Sequence, residues 1–150
     1  ARRNGLQDRI IAIQDAISIT DPASISIQRA YKLLPAQSEE LIDLPCVLNT
    51  VFYVGQEAGA QMRTLRYRVQ MQCAVAKAGV EDDRSADIAV ALWEKMLDDF
   101  GADITLAGNV TLALFLSGSE VPGIVRWGDL PYIGFNAVLD LQIQSGFTFS

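Results

Sequence analysis

The chain has no histidine and only two cysteines in 150 residues. It is also short of positive charge: 12 Lys and Arg stand against 18 Asp and Glu, a net charge of −6. Each shortage excludes something. Without histidine, the commonest general base and the commonest metal ligand are missing. A nucleophilic triad needs a base beside its nucleophile. The acidity, with a pI near 4.5, argues against nonspecific nucleic-acid binding, which runs on excess Lys and Arg. No run reaches the ~18 apolar residues of a membrane span. The apolar stretch after Arg2 and Arg3 is broken by Gln7, Asp8, Arg9, Gln14 and Asp15, which is no signal-peptide core. Cys46 and Cys73 are not a CxxC pair. Each lies in a strand-like segment, the pattern of reduced, packed thiols in a cytoplasmic protein.

What is present is apolar. Half of the residues are hydrophobic, and the mean hydropathy is +0.20, which argues against disorder. The length suggests one domain over 1–150, large enough to bury about 70% of its unfolded surface without disulfides or metals.

Leu6, Ile10, Ile13 and Ile17 build one helical stripe. That helix should stop before Asp21-Pro22, because the residue ahead of proline avoids helical geometry. From Ala23 to Leu33 the pattern alternates, with Ile25, Ile27, Tyr31 and Leu33 on one side, and predicts a half-buried strand. Residues 35–43 read as a loop. Leu44 to Val54 is apolar on both faces and reads as a strand covered twice, the second time by helices or by another subunit. Gly55, Gln56, Glu57 and Gly59 mark a flexible loop over 55–61.

Met62 to Val75 is the clearest strand, 14 residues long. It measures roughly 46 Å at ~3.3 Å per residue, against a diameter of roughly 38 Å for a domain of this size. It should reach the rim or pass it, so that 44–75 forms a projecting hairpin. A helix follows, capped by Asp82, Asp83 or Ser85 and closed by Gly101, with Ile88, Leu92, Trp93, Met96, Leu97 and Phe100 on its apolar face. Val110, Leu112, Leu114 and Leu116 alternate as a strand, and 117–131 reads as a glycine- and proline-rich loop. The last strand starts at Tyr132, with Ile133, Phe135, Leu139, Leu141 and Ile143 inward. The expected class is α+β: an antiparallel sheet with two α-helices packed on one face, plus the projecting hairpin.

Chemistry is scarce. Gly118-Ser119 lacks the glycine-flanked elbow of a hydrolase, and no phosphate-binding loop occurs. Glu81-Asp82-Asp83 and Asp98, Asp99 and Asp103 lack the alternation of a calcium loop; helix capping and solvation explain them better. No catalytic residue, metal or cofactor is expected. Arg66 and Arg68 share the polar face of the long strand, with Arg63 on the opposite face. They are a solvated face or an ion-pairing surface for an acidic neighbouring subunit, which the planar guanidinium suits; a DNA-gripping role is the weaker third reading, given the net charge. Arg126 and Trp127 sit in the 117–131 loop, Trp127 as a core plug or an interface anchor. Phe147 and Phe149 belong to a frayed terminus or to a strand that docks on a partner.

The order of elements resembles the tail terminator, or tail completion, proteins of long-tailed bacteriophages. The likeness runs through Tyr31-Lys32-Leu33-Leu34-Pro35-Ala36, Leu44-Pro45-Cys46-Val47-Leu48, Leu65-Arg66-Tyr67-Arg68-Val69, Leu92-Trp93, Thr105-Leu106-Ala107-Gly108-Asn109-Val110 and Tyr132-Ile133-Gly134-Phe135. It implies a structural virion protein, not an enzyme, that is assembled in the host cytoplasm. Such proteins form a homo-oligomeric ring, usually hexameric, on the head-proximal end of the tail tube. The ring ends tube polymerisation and meets the head-completion or connector protein. DNA passes through the lumen without specific binding, and an acidic lumen would repel it. The hairpin at 55–61 and the 117–131 segment are the expected contacts with neighbouring subunits or the tube. The alternatives are another neck or minor tail protein, and a small-molecule-binding or enzymatic α+β domain, which would show a closed apolar pocket.

Overall fold

A computed structural model describes residues 2–59, 62–79, 83–118 and 120–146. It is a mixed α+β fold with two helices and a dominant sheet. In chain order come α1 (Arg2–Asp15), β1 (Ser18–Ile19), β2 (Ile25–Ser26), β3 (Arg29–Tyr31), β4 (Cys46–Ala58), β5 (Met62–Lys77), α2 (Asp83–Gly101), β6 (Leu112–Ser117), β7 (Gly123–Trp127) and β8 (Leu130–Gly146). β1 and β2 form a small ladder of their own, and the main sheet runs β3-β4-β5-β8-β6, with β7 also on β8. β8 is the spine. One of its edges carries β5 along nearly its whole length, and the other carries β7 and then β6. All the pairings in the main sheet are antiparallel except one, for β3 lies parallel to β4.

The long strands alternate between two apolar clusters. Val47, Val69, Met71, Cys73, Phe135, Leu139 and Leu141 join Leu6 and Ile10 of α1 and Ile88, Leu92 and Met96 of α2. The residues between them in sequence, Cys46, Leu48 and Ala74, join Tyr31, Leu41, Val125, Trp127 and Tyr132 in a second cluster. In α2 the spacing of Ile88, Leu92, Met96 and Phe100 keeps one buried stripe, and Phe100 stacks on Phe115 of β6 with centroids 5.5 Å apart. Burying a side chain of that size contributes about 1.5–3 kcal/mol.

Several expectations need correction. The helix ends at Asp15, ahead of Asp21-Pro22 as expected, but the segment 23–33 is not one strand. Ile27 N–H goes to the Ile17 carbonyl (3.1 Å) and Gln28 N–H to the Pro45 carbonyl (2.8 Å), so the backbone changes partner between β2 and β3. Leu33, expected inward, is 84% exposed. β4 is covered on both faces only over Cys46–Asn49, and its second cover is the chain's own 32–45 segment. Leu41 N–H donates to the Tyr132 hydroxyl (3.0 Å), and Trp127 Nε1 donates to the Ala36 carbonyl (3.2 Å).

The 55–58 part of the expected loop is strand. Gly55, Gln56, Glu57 and Ala58 pair with Arg66, Leu65, Thr64 and Arg63, after a bulge at Val54. A glycine beside a bulge is a common marker of such an irregularity. The 117–131 segment holds β7, joined to β8 by a two-residue turn in which Gly128 has φ +61°. In β6 the buried side chains are Ala113 and Phe115, whereas Leu114 and Leu116 stand in solvent.

Candidate interaction surface

β5 is exposed or half-buried from Met62 to Arg68, whereas β8 beside it stays buried as far as Ile143. With 16 residues, β5 is about 50 Å long at ~3.3 Å per residue. Its inner face stays apolar, because Val69 and Met71 meet the helices. On its outer face, Arg66 and Arg68 lie beside Gln142 and Asp140 of β8. Two further strands flank them: Phe52 of β4 is opposite Arg68, and Leu114 of β6 is opposite Asp140.

The guanidinium of Arg68 meets Asp140 (Nε to Oδ1, 3.2 Å) and that of Arg66 meets Glu57 (Nη2 to Oε1, 3.6 Å). Both arginines therefore have carboxylates within their own chain. All four side chains are roughly half exposed or more, and exposed pairs of this kind contribute about 0–1 kcal/mol each. Between these charges and Val54, Leu112 and Leu114 lies a shallow groove of about 120 Å³.

Around it the surface is apolar. Phe52 is 47% exposed, Val54 54%, Leu114 46% and Leu116 48%. Tyr53, also exposed, lies on the opposite face of the sheet, where it packs edge-on to Tyr67 with centroids 5.5 Å apart. These apolar side chains were not singled out from the sequence. Phe52 and Val54 were read as covered, and nothing local to a strand says where its cover ends.

Of the residues expected at an interface, Gln56, Glu57, Gly59, Arg63, Arg66, Arg68 and Arg126 are exposed and Gly55 is half-buried. Trp127 is buried in the second cluster, so of its two readings the packed one is observed. The residues do not gather at one place. Arg63 pairs with Ser145 and Arg126 with Pro131, near opposite ends of β8 and about 46 Å apart at ~3.3 Å per residue. Phe147 and Phe149 lie outside the described residues.

No family model matches the chain, and no curated protein matches it.

Several titratable groups elsewhere in the fold are shifted by their surroundings. Burial pushes the Cys46 thiol up to about 11 and raises that of Cys73 as well, so neither is a thiolate at neutral pH. Burial also raises Tyr31, over whose ring Arg29 sits 4.3 Å from the centroid. The Ala107 N–H and then Arg9 hold the Asp103 carboxyl below the usual range. Among the described residues, no three Cys, Asp or Glu side chains come together as metal ligands. No helix there is long and apolar enough to cross a membrane.

Proposed function

We propose that the chain is a structural virion protein of a long-tailed phage. It forms a ring, hexameric in the family it resembles, at the head-proximal end of the tail tube. There it stops tube growth and offers the surface that joins the head's connector. The supporting observation is the β4–β5 hairpin, which we read as projecting. Phe52 and Val54 stand in solvent on it, with Val54 beside Leu114 and the two arginines, and contiguous exposed apolar surface marks a contact with another protein. The helices supply side chains to one cluster, which favours both lying on one face of the sheet. That arrangement leaves the far half of the other face free for subunits or tube. Six copies at −6 each make an acidic conduit through which DNA slides without sticking.

The experiment is removal of the protein during phage assembly. The reading expects overlong tails unattached to heads. Tails of normal length refute it.

A further inference from the structure

β4 is paired on its far side by β3, and only over Cys46–Leu48. Among the described residues no other strand joins that edge, so β4 from Thr50 to Ala58 presents an open edge there. Such an edge is a template for another strand. At the other side of the same sheet lies β6. In an antiparallel ladder the outward backbone groups recur at every second residue. Ala113 N–H points away from β8, because it donates to the Ile104 carbonyl (2.7 Å). Phe115, two residues on, therefore turns its N–H and carbonyl outward as well.

The two edges are level. Phe52 pairs with Arg68, Arg68 with Asp140, and Asp140 with Leu114. One step along, Thr50, Gln70, Val138 and Leu116 line up in the same way. The edges also run in opposite directions, since three successive antiparallel pairings separate β4 from β6. Closed rings relate their copies by rotation, with no rise along the axis. A copy rotated about an axis along the strands therefore lays its β4 antiparallel to the β6 of its neighbour, at matching height. Phe52 then meets Leu114, and Thr50 meets Leu116, on the same sheet face. The complement to each open edge is thus found within the chain itself, which points to a second copy as the occupant.

We propose that residues 50–52 of β4 pair antiparallel with residues 114–116 of β6 in a second copy, head to tail, so that the sheets of successive copies join around the ring. This rests on the ring reading above and adds the contact that closes it.

The test is a cysteine pair, Phe52→Cys with Leu114→Cys. Within one chain these positions are three strand spacings apart, roughly 14 Å, beyond the ~7 Å Cα limit of a disulfide. Cys46 and Cys73 are buried and do not compete. Oxidation of the concentrated protein should give a ladder at successive multiples of 16.4 kDa, lost on reduction and absent from either single variant. If that pair fails to fold, Thr50→Cys with Leu116→Cys asks the same question one step along. A folded pair that stays monomeric, or gives no more than the single variants do, overturns the proposal. Overlong tails on deletion without a ladder would keep the terminator reading and refute the edge pairing. A ladder from a protein whose loss leaves tails normal would keep the edge pairing and refute the terminator role.

Discussion

Replacing Asn49 with leucine probes a polar clamp inside the apolar core. Gln14, 0% exposed, lies at the end of α1, and the buried Asn49 lies on β4. Their amides exchange two hydrogen bonds of 2.8 Å each, and Asn49 Nδ2 also donates to the Tyr31 carbonyl (3.1 Å). One side chain thus ties helix, strand β4 and strand β3 together. Leucine there strands both ends of the Gln14 amide and the Tyr31 carbonyl. A buried polar group left unpaired costs about 1–3 kcal/mol, so three groups at the low end give about 3 kcal/mol. For a chain of this size ~1 kcal/mol moves Tm by ~2–4 °C, so the midpoint should fall by about 9 °C. Removing both amides is different, because an apolar pair leaves only the carbonyl unmet. The double variant Gln14→Leu/Asn49→Leu should therefore be no less stable than Asn49→Leu alone. Thermal unfolding followed by circular dichroism reads both. A single variant that melts with the parent refutes the reasoning, as does a double variant that loses more than the single one.

Two further outcomes follow from particular contacts. A Cβ at Gly134 would run into the Cys73 backbone across the β5–β8 ladder; Gly134→Ala should lower the urea midpoint by an amount worth about 1–3 kcal/mol, and an unchanged midpoint refutes this. Asp103 titrates below its ordinary value in the fold, so its contribution is present above the unfolded pKa and fades as pH falls through the folded one; Asp103→Asn should lower Tm at neutral pH and match the parent in acid, and a gap that persists in acid contradicts the assignment.

The helical stripes were legible because four-residue spacing leaves few other structures that bury Leu6, Ile10, Leu92 and Met96 together. The long β5 and β8 strands were legible from alternation. Where the sequence misled, the missing information was tertiary. Gln14 breaks the apolar stripe of α1, and nothing near it announces Asn49 on a strand 35 residues away. Leu112, Leu114 and Leu116 alternate as cleanly as a core face, yet Ala113 and Phe115 are the ones buried, because stacking on Phe100 fixes which side faces α2. Gly123, Gly128, Pro122 and Pro131 looked like a loop, and they hid the alternation of Ile124, Val125, Arg126 and Trp127. For the surface, the sequence supplied the hairpin arginines but not the apolar side chains around them. Exposure depends on where the 32–45 segment stops covering the sheet.

The position of β8 in the chain has a consequence for synthesis. It is made after every other described strand, yet it is the strand on which β5, β6 and β7 all converge. Until it leaves the ribosome, β5 has one bare edge, and β6 and β7 have no ladder to join. The sheet is therefore completed in a late, long-range step. Chains that depend on distant pairings fold slowly, and exposed strand edges during that wait invite association with other chains. A nascent chain stalled before Leu130 would carry both helices and the β4–β5 hairpin without the strand that unites them.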